Sequence, residues 1–252
     1  MLPREGFRSS RCYAWGGRRT MTATTMPRQY AFLFGLLRDC SGVYTDQLAS
    51  LSADHHSSWN PMTARFEVDA YFAFKLSASL VHLKHDRHVW EDMCSFSEVA
   101  LSAIHAEKVS CDDLADVIAA RAEEYGRIAN RCGESGEAPT IPLVKSLRRH
   151  IMASSRDDRV RAESPLVIGD AFQEFSLLLG YLRIDLLYAG PFSCVLKHIF
   201  QRTRDVRTLS EDELVALAQA GQTEAAAIAA QIPDLTSLLA SPRKQPWWQF
   251  WR

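Results

Sequence analysis

Phe66, Ala70, Ala73, Phe74, Ser77, Leu80 and Val81 recur at the i, i+3/i+4 spacing of a buried helix face, in a stretch from Pro61 to about His105 that holds no glycine and no further proline. Apolar residues also fill much of the space between them. The pattern predicts a central helix covered on all sides, broken near Asp92 to Ser97. A second stripe, Leu114, Val117, Ile118, Ala122, Tyr125 and Ile128, follows a capping-box-like start at Ser110 and Asp113. Glu123 and Arg127 pair at i, i+4 on its outer side, and residues 133–139 (GESGEAP) end it. Thr140 caps a shorter helix that tolerates Pro142 in its first turn and turns Val144, Leu147 and Ile151 inward.

Residues 154–163 (SSRDDRVRAE) are polar and aperiodic, which predicts a loop or an internal boundary. A long helix through Phe172, Phe175, Leu178, Leu179, Leu182 and Leu186 is predicted to stop at Gly190-Pro191, where Pro191 opens another through Val195, Leu196, Ile199 and Phe200. Ser210 with Glu213 caps the next, around Leu214 and Leu217, and Gly221 is expected to turn it into the alanine-rich stretch 223–231. Strand-like alternation is almost absent and no period of 20 to 50 residues repeats. The sum is an all-α bundle of seven to nine helices. Its expected organisation is one helical domain over 27–240, a basic extension over 1–26 that is disordered or starts too early (Met21 or Met26 being the alternative beginnings), and an aromatic tail over 241–252.

Composition narrows the classes. The chain has 252 residues with 47% hydrophobic and 23% charged, which excludes a disordered, collagenous or multi-pass membrane protein. A net charge of -1 gives no overall attraction to nucleic acid or an anionic membrane. Six scattered cysteines without a C-x-x-C pair suggest reduced thiols and a cytoplasmic setting. The apolar run 31–37 (AFLFGLL) is at the lower limit for the apolar region of a secretory leader and is followed at once by Arg38 and Asp39, so no leader is expected. The stretch 166–190 contains Asp170, Glu174, Arg183 and Asp185, so it is a core helix and not a span.

Candidate chemistry begins with residues 82–92 (HLKHDRHVWED). On a helix His82, His85, Asp86 and His88 fall on adjacent faces, close enough to offer nitrogen and oxygen donors to a divalent metal. With His55 or His56 upstream, the arrangement resembles the HD family of metal-dependent phosphohydrolases. That resemblance implies an all-helical fold and a distant acidic ligand, for which Asp170 or Asp185 would serve. Lys84, Arg87 and His88 stand where that family has an apolar lead-in and a glycine turn. Without metal, the same side chains suit the C-terminal end of a helix, whose dipole favours cations. Glu67 and Asp69, and Asp170 with Glu174, place carboxylates among apolar residues, where they act as acid and base or answer an arginine such as Arg65 or Arg183. Phosphate cradles, hydrolase elbows and H-E-x-x-H are absent. A basic run, Lys145, Arg148, Arg149, His150, Arg156, Arg159 and Arg161, is interrupted by Asp157, Asp158 and Glu163 and has no interleaved aromatic, so nucleic-acid binding is not expected.

The strongest anomaly is S-P-R-K-Q-P-W-W-Q-F-W-R. Three of six tryptophans, Trp247, Trp248 and Trp251, join Phe250 within six residues, beside Arg243 and Lys244 and beyond two prolines. Such a segment plugs a core, anchors in a partner's groove, or lies at a bilayer surface as a peripheral contact. The expected function is therefore non-enzymatic: a helical interaction or scaffold protein that meets a protein partner or membrane surface through this tail, without a cofactor. The alternative is a metal-dependent helical hydrolase built on the histidine cluster.

Overall fold

The computed structural model describes residues 27–54, 60–82, Leu101, His105, 114–154 and 168–230, and these are helical throughout apart from short connections. The elements are α1 (Arg28–Asp54), α2 (Pro61–His82), α3 (Leu114–Ser135), α4 (Thr140–Ser154), α5 (Ile168–Ile184), a π turn (Asp185–Ala189), α6 (Gly190–Arg202), a 3-10 turn (Val206–Thr208) and α7 (Glu211–Ala229). Residues 168–202 run as one rod through the π turn, so the described residues hold six helical rods where seven to nine were expected.

Two of the expected breaks do not occur, each for a physical reason. Pro191 lacks an N–H and its ring would collide with the carbonyl four residues earlier, yet the chain does not stop. It widens instead, with Gly190 N–H donating to the Asp185 carbonyl across the π turn, and Pro191 falls in the first turn of α6. Gly221 likewise does not turn the chain. It lies inside α7, because a Cβ there would meet the Val195 Cα at 2.5 Å and its nitrogen at 2.7 Å. Glycine is what lets α7 lie against α6.

α2 is the axis of the bundle, as its all-round apolar pattern predicts. Asn60 caps it, accepting from the N–H groups of Met62 and Thr63 at 3.1 and 3.2 Å, and Pro61 occupies the first turn. Every residue from Phe66 to Phe74 is buried. α1, α3, α4 and α6 pack around it, and α5 and the π turn lean on α1. α1 is not among the predicted elements. Its inner stripe is Tyr30, Leu33, Leu37, Ser41, Tyr44, Leu48 and Ser52, at helical spacing but interrupted by serines.

Helix ends follow the expected chemistry more closely. α3 ends in a glycine turn, where Gly136 has φ +73° and Glu137 N–H reaches back to the Cys132 carbonyl at 2.9 Å. At α7, Ser210 and Glu213 form a reciprocal capping box, each side chain taking the other's backbone N–H. Glu123 and Arg127 lie 3.9 Å apart on the outside of α3. One continuous core, from Tyr30 to Ala218, joins all these elements.

Candidate functional site

The unusual feature of α2 is that its buried surface carries charge. Asp69 and Glu67 are each almost inaccessible to water, and so is Asp185 of the π turn. A buried carboxylate must be paired and hydrogen-bonded or it loses its charge. Each acid here has partners, drawn from different elements.

Asp69 receives Arg65, one turn earlier on α2, whose Nε donates to both carboxylate oxygens at 3.1 Å. From α1 the Ser41 hydroxyl donates to Oδ1. The same guanidinium also donates to Ser41 Oγ at 3.1 Å and to the Arg38 carbonyl at 2.8 Å, fastening α2 to α1. His105 Nε2 stands 2.8 Å from Asp69 Oδ2. A carboxylate only accepts, so the proton of this bond is on Nε2. Its Nδ1 is buried and has no partner, and its ring meets Phe66 edge-on at 5.3 Å. Serine, aspartate and histidine thus touch, but in the wrong order for nucleophile activation. The acid separates the hydroxyl from the imidazole, where a triad needs the imidazole between them.

Glu67, two residues earlier, points to α3. Arg121 donates to its two oxygens at 2.7 and 2.8 Å, a bidentate pair, and this bonding raises the arginine above its ordinary value. One turn on, Glu124 connects α3 to α4. It accepts from the Ser146 hydroxyl and from His150 Nε2 at 2.8 Å, with Arg149 3.6 Å away. Burial opposes its charge, but the bonds from Ser146 and His150 outweigh burial and hold its carboxyl below the usual range. The predicted basic run on α4 is therefore partly neutralised from within.

Asp185 ties the π turn to α2. Tyr71 Oη donates to Oδ1 at 2.9 Å, and Lys75 Nζ stands 3.7 Å from Oδ2. Around it lies a tyrosine-rich interior: Tyr71 meets Tyr125 at 5.4 Å and Tyr44 at 6.5 Å between ring centroids. The hydroxyls of Tyr44 and Tyr125 are buried without a hydrogen-bond partner, and that of Tyr181 lies beside Ser52 of α1. Asp185 lies near enough to Tyr44 to act on its phenol, yet outside hydrogen-bond geometry. Burial raises all four phenols, Tyr181 to about 12 and Tyr44, Tyr71 and Tyr125 well above their ordinary value.

The residues singled out from sequence are placed as follows. Arg65 answers Asp69 as anticipated, whereas Glu67 is answered by Arg121. Asp185 faces Tyr71 and Lys75. His82 is the last residue of α2, while His85, Asp86 and His88, with His55 and His56, lie outside the described residues, as do Arg243, Lys244, Trp247, Trp248, Phe250 and Trp251. Among the described residues no group of three or more His, Cys, Asp or Glu side chains could hold a metal ion. Nor, among them, is any helix long and apolar enough to cross a membrane. Cys40, Cys132 and Cys194 are free thiols, and burial, with Asp39 adding to it, pushes Cys40 up to about 11.

Arg121, Tyr71 and Lys75 were not anticipated. The i, i+4 spacing of Tyr71 and Lys75 on a helix buried all round was the signal available, since a lysine in such a place needs an acid opposite. Compared with known proteins, the chain matches no family model, no curated sequence and no solved structure.

Proposed function

We propose that this protein is a helical scaffold that engages a protein partner through its aromatic segment, residues 241–252. The observation that carries the reading is the density of Trp247, Trp248, Phe250 and Trp251 beside Arg243 and Lys244. Tryptophan and arginine are the side chains that most often dominate binding energy at interfaces. Support comes from the carrier: its core is continuous from Tyr30 to Ala218, and its buried acids hold one helix to the next. Such a body presents a contact element and keeps its own shape.

The test replaces Trp247, Trp248 and Trp251 together by alanine in the full chain. The expected result is loss of a partner identified by cross-linking and re-bound in purified form, with a thermal midpoint within about 2 °C of the parent, since surface changes are nearly neutral. A fall of about 8 °C or more would show that the aromatics belong to the core and would end the proposal. Retention on anionic vesicles, without a protein partner, would replace it by a membrane-surface role.

A further inference from the structure

Lys75 answers its acid differently from Arg65 and Arg121. The arginines close on their carboxylates at 3.1 Å and at 2.7 to 2.8 Å, whereas Lys75 Nζ remains 3.7 Å from Asp185 Oδ2. Charge-assisted N–H···O bonds normally close to about 2.7–2.9 Å. The ammonium lies instead over the Tyr71 ring, 4.7 Å from its centroid, in a cation–π position. The lysine side chain is 18% exposed against 5% for Asp185, and Tyr71 and Tyr44 are fully buried. Of these four, Lys75 is therefore the one that reaches solvent. Tyr44 adds a buried hydroxyl with no partner, its ring 6.5 Å from that of Tyr71.

Asp185 and Tyr71 offer a carboxylate oxygen and an aromatic face to the flexible Lys75 side chain, and Tyr44 adds a hydroxyl oxygen near the same carboxylate. An ammonium group with three N–H donors suits that set. A quaternary ammonium could use the ring but donate to neither oxygen.

We propose that Asp185, Tyr71 and Tyr44 form a binding site for a small primary alkylammonium ion. Lys75 occupies it from within in this structure, and an external amine takes it when Lys75 turns out to solvent. Such a site is independent of the aromatic segment. In the native chain an external amine competes with a tethered one, so its apparent affinity is reduced by the fraction of molecules in which Lys75 is out.

The experiment follows thermal unfolding of the full chain in n-propylammonium chloride, with sodium chloride and tetramethylammonium chloride at equal ionic strength. Lys75→Ala should lower the midpoint, and n-propylammonium alone should restore it saturably, half-maximally at about one-tenth or less of the concentration the native chain needs. Adding Asp185→Asn should remove the restoration. Equal responses to all three salts, or restoration that survives Asp185→Asn, would overturn the proposal. A second readout does not depend on whether Lys75→Ala folds: in the native chain n-propylammonium should shift the Tyr71 ring resonances saturably and tetramethylammonium should not. A linear, unsaturating shift with both would overturn it as well.

Discussion

Glu67 and Arg121 join through two parallel bonds where the glutamate side chain is only 4% exposed. Taking the carboxylate, and part of the guanidinium, out of water costs several kcal/mol, which their bidentate attraction offsets. The sensitivity of the pair is therefore lopsided. Arg121→Met leaves a buried carboxylate with no cation and should cost about 3–5 kcal/mol, whereas Glu67→Leu combined with Arg121→Met should cost far less than that single change. Urea unfolding of the single and double variants measures the difference. A double variant as unstable as Arg121→Met would show that packing of the guanidinium, and not the orphaned charge, is what the site needs. At Asp69 the same logic has a softer outcome, since Ser41 and His105 remain to hold the acid when Arg65 is lost.

At the scale of elements, the glycines separate close packing from mere conformational weakness. A Cβ at Gly221 would strike the backbone of Val195 at 2.5 Å, and backbone cannot swing aside as a side chain can. Gly221→Ala should force α7 off α6 and cost about 1–3 kcal/mol or more. Gly35, within α1, has no atom within 4 Å of an added Cβ, so Gly35→Ala should stabilise by about 1 kcal/mol through helix propensity alone. Thermal midpoints moving in the same direction for both would refute the packing argument. The same two helices show what was legible beforehand. Gly221 looked like a turn because a sequence records its freedom but not the neighbour that demands it. Gly190-Pro191 looked like a stop because a sequence shows the bond that Pro191 cannot make but not the widening, with Gly190 N–H on the Asp185 carbonyl, by which the chain carries on. The middle of α2 was legible since Phe66 to Phe74 are buried on every side, while the expected break near Asp92 to Ser97 lies outside the described residues. α1 was not, since Ser41, Thr45 and Ser52 interrupt its stripe, and the partners that explain their burial, such as Asp69 for Ser41 and the Ser41 carbonyl for Thr45, are not visible in the pattern. Arg65 with Asp69 lies within one helical turn and could be foreseen, while Arg121 lies 54 residues from Glu67 and could not.

For the molecule as a whole, α2 is keyed to its neighbours by a different polar contact each time: Asp69 to α1, Glu67 to α3, Tyr71 and Lys75 to the π turn. Between these contacts lie Tyr44, Tyr71, Tyr125 and Tyr181, all raised above the ordinary phenol value of 10.0 by burial. This makes base a sharper probe of the fold than acid. A phenol whose folded pKa is raised contributes stability that is complete below pH 10, where folded and unfolded chains hold the proton equally. As pH rises beyond 10 only the unfolded chain releases it, so that stability is lost until the folded pKa is passed, which for Tyr181 is about 12. Each such tyrosine tilts the balance by about 1.4 kcal/mol per pH unit. Four together should consume an ordinary domain margin of about 5–15 kcal/mol within about one to three units. Much of the phenolate absorbance at 295 nm should therefore appear in one steep step above pH 10 that coincides with loss of helical circular dichroism. If all the absorbance appeared gradually near pH 10 while the helices persisted, the four rings would be open to water and the polar interior described around Asp185 would not exist in solution.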